Sequence, residues 1–136
     1  MDKVQLRRLP VTEPPIPPGG GRIQSDAGEL AQIASGPDAY RFVAYLELRP
    51  GRPRGNHYHT RKTETLYVVS GRVRAVFHDL TSGRRSEAVL EPGHLVTIQP
   101  HCAHVFHALD PAQAVELADV PYDPADTHPH QVGERA

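Results

Sequence analysis

Arg54-Gly55-Asn56-His57-Tyr58-His59-Thr60-Arg61-Lys62-Thr63-Glu64-Thr65-Leu66-Tyr67-Val68-Val69-Ser70-Gly71 is the stretch on which the reading of the fold turns. In an extended chain the side chains alternate sides, so residues two apart face the same way at about 6–7 Å. His57 and His59 are then neighbours on one face, close enough for two imidazoles to meet one ion at about 2.0–2.1 Å each. A helix would separate them, and Tyr58 between them points away. Residues 60–63 read as a turn, and Glu64 begins the apolar run Leu66-Tyr67-Val68-Val69. If that turn joins two antiparallel neighbours, Glu64 comes to lie beside the histidine pair. Downstream, His104 opens another strand after the turn Gln99-Pro100-His101-Cys102, and is expected to offer a third nitrogen from across the interior.

The rest of the chain has the same texture. Short β-prone runs bounded by Gly, Pro, Asp or Ser are expected at 29–34, 40–48, 56–59, 64–70, 72–78, 85–90, 94–98, 104–108 and 114–120, the pattern of an all-β sandwich or barrel. Thr81-Ser82-Gly83-Arg84 reads as a hairpin loop, which pairs 72–78 with 85–90 antiparallel. Val73, Ala75 and Phe77 alternate with Arg72, Arg74, Val76 and His78, so one face turns inward. With 14 Pro and 11 Gly in 136 residues, long helices are excluded. Residues 1–28 begin with a short strand at 4–9 and continue as a Pro/Gly-rich extended arm, because proline lacks an N–H and glycine costs backbone entropy. The expected division is an arm at 1–28, a β-barrel at 29–121 and a surface tail at 122–136 with a frayed end.

Composition narrows the partners. A formal charge of -1 lacks the basic footprint of a nucleic-acid binder, and no apolar run approaches the length of a membrane span. One cysteine, Cys102, cannot form an internal disulfide, and Met1-Asp2-Lys3-Val4 does not open a secretory signal, so a cytoplasmic location is expected. Nine histidines point to chemistry instead. His107, three after His104, is expected on the opposite face of its strand. His101 is read as a solvated turn residue, His78 and His94 as structural, and His128 and His130 as tail residues. Cys102 is read as a buried small residue and Tyr67 as outward-facing. A homodimer is the default expectation, since open sheet edges need cover.

Gly51, His57, His59, Glu64 and Gly71 match every interval of the first motif of the cupin superfamily: Gly, five residues, His-x-His, three or four residues, Glu, six residues, Gly. In the second motif Gly93 and His104 stand correctly, while Gln99, His101 and Ala108 replace the usual Pro, Gly and Asn. The chain resembles that superfamily from about residue 29 to 120, which implies an antiparallel jelly-roll β-barrel with the site inside. The resemblance further implies a divalent metal held by His57, His59, Glu64 and His104, and three imidazoles with a carboxylate suit Fe, Mn, Ni, Cu or Zn.

A narrower resemblance lies in Arg54-Gly55-Asn56-His57-Tyr58-His59 followed by Lys62-Thr63-Glu64, and in the tail Tyr122-Asp123-Pro124-Ala125-Asp126-Thr127. Both are similar to cupin domains of bacterial sugar-nucleotide and capsular-polysaccharide enzymes. That implies a small-molecule substrate and an epimerase or isomerase acting beside the carbonyl of a nucleotide-linked keto sugar. His57 and His59 would serve as acid–base groups, with Arg54 gripping a diphosphate or standing as a solvated charge. Metal or a cationic donor would stabilise the enolate. The alternatives are an Fe(II)-type dioxygenase, a polyketide-type cyclase or dehydratase, and a non-enzymatic small-molecule binding module.

Overall fold

The computed structural model describes residues 1–133. Its strands are β1 (Val4–Arg8), β2 (Gly21–Ser25), β3 (Gly28–Gln32), β4 (Phe42–Leu48), β5 (Arg54–Tyr58), β6 (Glu64–Ser70), β7 (Val73–Asp79), β8 (Arg85–Leu90), β9 (His94–Ile98), β10 (Cys102–Ala108), β11 (Ala112–Ala118) and β12 (His128–Pro129). A 3-10 turn at Pro124–Asp126 precedes β12. The fold class is all-β, as expected, and among the described residues no helix is long and apolar enough to cross a membrane.

Two antiparallel five-stranded sheets carry the structure, ordered β1-β9-β6-β11-β4 and β12-β5-β10-β7-β8, with β2-β3 as a separate hairpin. The expected barrel is thus a jelly-roll sandwich rather than a closed cylinder. The alternation read from the sequence places its apolar face between the sheets: Val73, Ala75 and Phe77 from β7 meet Leu66, Val68, Val96 and Ile98 in one core. The hairpin of β7 with β8 is antiparallel and in register from Val73↔Leu90 to His78↔Arg85. At the opposite side β4 is an edge strand, and its inward residues Phe42, Ala44 and Leu46 are only half-buried. The sandwich is open there.

Three expectations change. The first concerns the segment before residue 29. β1 joins the first sheet beside β9, and β2 with β3 folds into a hairpin over its outer face. Tyr67 does face outward, yet it is buried with Leu9 and Leu95 against Ala31 and Ile33.

The second concerns residues 60–63. They do not join neighbouring strands: β5 and β6 lie in different sheets, so this turn crosses the sandwich. The third concerns the tail, which is docked rather than frayed through residue 133. Asp126 and Val132 are buried, and β12 pairs with His57 and Tyr58 of β5. Val132 packs against Val76, Ala103 and Val105, which explains why Val76 is buried on the outward face of β7. Residues 134–136 lie outside the described residues.

Candidate active site

His57 and His104 face each other across the pairing of β5 with β10. His59 follows two residues on, and its ring centroid lies 4.9 Å from that of His57 and 5.8 Å from that of His104. Glu64 reaches the same point from the first residue of β6 in the facing sheet. Donor atoms of His57, His59, Glu64 and His104 all fall within 4.8 Å of one another. The structure therefore brings together the four residues picked out from the sequence, with two of their positions exchanged. His104 is the adjacent-strand neighbour, and Glu64 is the group from across the interior, because the turn after β5 changes sheets.

A local irregularity of β5 sets the approach. Register shifts between His104 and Val105, so that Arg54 pairs with Phe106 and Gly55 with Val105 while His57 pairs with His104. Three steps on β5 match two on β10, which returns Arg54 to the face of the sheet that carries His57. Gly55 has φ +113°, and a Cβ there would lie 2.6 Å from the His104 carbonyl oxygen, so only glycine fits. Arg54 is exposed, and its Nε donates to the Glu47 carbonyl of β4 at 2.8 Å, spanning the open edge.

The tautomers follow from backbone carbonyls, which can only accept. His59 Nδ1 donates to Asp126 O at 2.7 Å and His104 Nδ1 to Cys102 O at 3.0 Å. In the neutral rings the Nε2 lone pairs of both residues consequently point at the Glu64 carboxylate, at 3.3 Å and 3.5 Å. Both Nε2 atoms are buried without a hydrogen-bond partner. Two lone pairs against a buried carboxylate repel unless a positive charge lies among them.

The electrostatics agree. Burial would raise the Glu64 pKa, but the facing His104 and His59 rings and the Lys62 charge hold it well below the carboxylate range. Burial pushes His104 down, and the Glu64 carboxylate more than reverses this, leaving it raised. A proton on His104 or a divalent ion on the Nε2 atoms answers the same demand. The orphaned nitrogens and the His3Glu donor set fit a transition metal, with ring Nδ1–H groups held as such sites require.

His57 differs from its companions. Its ring touches the other rings but has no hydrogen-bond partner among the described residues. Burial, and then His104, lower its pKa to about 4, so it is neutral at physiological pH.

Three supporting residues escaped the sequence reading. Asp126 accepts from Thr60 N, Thr60 Oγ1 and Arg61 N, fixing the turn that follows His59. Arg61 also pairs with Asp123 of the tail. Glu116 stands on the inner face of β11 opposite Leu66 and Ala44, and Lys62 Nζ lies 2.7 Å from its Oε2. Glu116 had a visible signal: it interrupts the small apolar series Ala112, Ala114 and Ala118 on an inward face.

The remaining residues are peripheral. Tyr58 points away and stacks on His128 at 5.0 Å. His101 is exposed, His94 accepts from Glu91 N, and Cys102 is buried with its thiol pushed up to about 11 by burial.

Solved structures of similar shape share this architecture. The TDP-quinovose 3,4-ketoisomerase of Campylobacter jejuni superposes with a TM-score of 0.76 at 19% identity, covering 94% of this chain and 93% of that one. A mutant of the 3,4-ketoisomerase of Thermoanaerobacterium thermosaccharolyticum, in complex with TDP-4-keto-6-deoxyglucose, gives 0.75 at 18% identity, covering 93% and 87%. The dTDP-4-dehydrorhamnose 3,5-epimerase of Sulfolobus tokodaii gives 0.69 at 20% identity, covering 78% and 70%. At such identities the likeness is one of fold. No curated protein matches the sequence significantly. Residues 25–120, most of the chain, match the family of polysaccharide biosynthesis C-terminal domains, and the chain belongs to that family.

Proposed function

We propose that this protein is an isomerase or epimerase that removes and returns a proton beside the carbonyl of a nucleotide-linked keto sugar. The observation that carries the reading is the asymmetry of the three imidazoles. His59 and His104 are locked by carbonyls with Nε2 toward Glu64, while the His57 ring is neutral and has no hydrogen-bond partner among the described residues. A neutral imidazole can take a proton from carbon, and its conjugate acid can return it. We assign that transfer to His57, with His59 positioned beside it. Similarity of fold to TDP-sugar ketoisomerases and epimerases supports the substrate class.

With His57 free for proton transfer the reaction runs without a metal. The orphaned Nε2 atoms favour a second reading, in which His57, His59, Glu64 and His104 would hold a divalent ion such as Zn, Fe, Mn or Ni that would supply Lewis-acid polarisation of a carbonyl oxygen, and another group would take the proton. Arg54 has guanidinium nitrogens beyond the Nε that meets Glu47, and on this reading they engage a diphosphate at the open edge. The single cysteine supports a cytoplasmic setting. The exposed outer face of edge strand β4, with Val43 67% and Tyr45 60% accessible, supports a homodimer.

The test is solvent deuterium exchange at the carbon beside the carbonyl of TDP-4-keto-6-deoxyglucose, followed by NMR. Exchange by the wild type that disappears in His57→Asn is expected. A wild-type protein that exchanges no deuterium into this sugar overturns the reading.

A further inference from the structure

Lys62 lies in the turn that crosses from one sheet to the other, and its ammonium returns into the site. Nζ is 2.7 Å from Glu116 Oε2, 3.7 Å from Glu64 Oε1 and 5.0 Å from the centroid of the Phe42 ring. Side-chain exposure is only 15% at Lys62 and 17% at Glu116. The turn itself is held at both ends, by Asp126 at Thr60 and Arg61 and by Asp119 Oδ1 accepting from Thr63 N at 3.0 Å. Lys62 is therefore aimed by the fold rather than free on a loop.

Its hydrogen bonding is incomplete. An ammonium offers three donors, and among the described residues one full hydrogen bond, to Glu116, is made. Glu64 at 3.7 Å is beyond hydrogen-bond range. Phe42, whose ring the ammonium faces, belongs to the half-buried inner side of β4, where the sandwich is open. Of the neighbouring cations, Arg61 pairs with Asp123, and Arg54 bonds the Glu47 carbonyl through Nε with its other nitrogens assigned to the diphosphate.

We infer that Lys62 is a catalytic residue of the proposed reaction, donating to the substrate carbonyl oxygen and carrying the negative charge that develops on it. The inference rests on the reading of the site as a proton-transfer centre. In the step concerned the C–H bond beside the carbonyl breaks and its proton passes to the His57 imidazole. The bonding pair forms a carbon–carbon double bond while the carbonyl π pair moves to oxygen. The resulting enolate oxygen meets the Lys62 N–H, and return of the proton restores a carbonyl. Donors fixed in place in a water-poor site serve here because they need no reorganisation as charge appears. Glu116 then acts as a positioning residue, holding the amine from the side opposite the substrate.

The same deuterium-exchange assay, run on Lys62→Met, Lys62→Arg and Lys62→Ala with added ethylammonium, tests the inference. Lys62→Met is expected to slow exchange about 100- to 1,000-fold with KM changed far less, the loss seen on removing an oxyanion donor. Lys62→Arg, or ethylammonium acting on Lys62→Ala, is expected to restore part of the rate. Wild-type exchange in Lys62→Met overturns the assignment. So does a loss that neither the arginine nor the amine recovers, which marks Lys62 as a structural counter-ion. If the wild type itself shows no exchange, the functional reading fails first.

Discussion

His59 Nδ1 and the Asp126 carbonyl oxygen, 67 residues apart in sequence, are 2.7 Å apart in the structure. The bond ties the tail to the site and sets which nitrogen of His59 faces Glu64. Asp126 adds three further bonds to the turn after His59 through its carboxylate. Burial works against that carboxylate, yet the donors of Thr60 and Arg61, with His128, hold its pKa well below the usual value.

Asp126→Ala frees three donors of the turn, and its expected cost is about 1–3 kcal/mol of stability, the range for leaving buried polar groups unpaired. Ring nitrogen NMR gives the more specific readout. His59 is expected to be protonated on Nδ1 in the wild type and to average between tautomers in the variant. An unchanged melting curve and unchanged ring shifts would remove the tail from the site's construction.

Metal uptake separates the chemistries open to the His3Glu cluster. On the metal-bound reading, reconstituted wild type is expected to bind about one divalent ion per chain by elemental analysis and His57→Ala/His59→Ala to bind none, whereas a metal-free wild type leaves His57 as the base. The ion should raise the melting temperature too, since a ligand at 100 times its Kd stabilises the folded state by about 2.7 kcal/mol. Zinc, manganese or nickel accords with carbonyl polarisation, whereas iron would turn the next assay to oxygen consumption. Equal metal in both proteins would place the ion elsewhere.

Arg54→Ala tests the open edge. If its guanidinium grips a diphosphate, TDP binding measured by calorimetry should weaken by about 1.5–3 kcal/mol, the range for hydrogen bonds to charged groups. Unchanged affinity would leave Arg54 with only its bond to Glu47.

Acid sensitivity should appear away from the site, where Lys3 Nζ meets Asp79 Oδ1 at 2.7 Å and ties β1 to the turn after β7. The Lys3 ammonium, with the N–H groups of Thr81 and Ser82, holds the Asp79 carboxyl far below its ordinary value of 3.8. A folded-state pKa below the unfolded one contributes stability that is present above the unfolded value and lost as pH falls through the folded one. Wild type should therefore melt above Asp79→Asn at neutral pH, and the two curves should converge in strong acid. A gap that persists undiminished at low pH would show that charge plays no part.

Local patterns carried much of this structure. The strands at 64–70, 85–90 and 94–98 end where the sequence placed them, because alternation and bounding turn residues are properties of a few neighbours in the chain. The spacing of His57, His59, Glu64 and His104 likewise named the cluster that the fold assembles. Glu116 was legible only in part, as a charge among inward alanines, since its meaning depends on Lys62 arriving from another element. Asp126 was not legible as a supporting group, because a Pro-rich tail has no period and its bonds are all to distant residues.

The sequence alone determined an all-β chain, its inward faces, and the three imidazoles and one carboxylate that the fold clusters, consequences of two-residue periodicity and of motif intervals. Only the tertiary structure decided that β5 and β6 belong to opposite sheets, that His104 is the neighbour of His57 while Glu64 comes from across, and that the tail closes behind His59. Strand pairing and sheet crossing depend on contacts between residues far apart in the chain, and no local pattern records which of the competing partners wins.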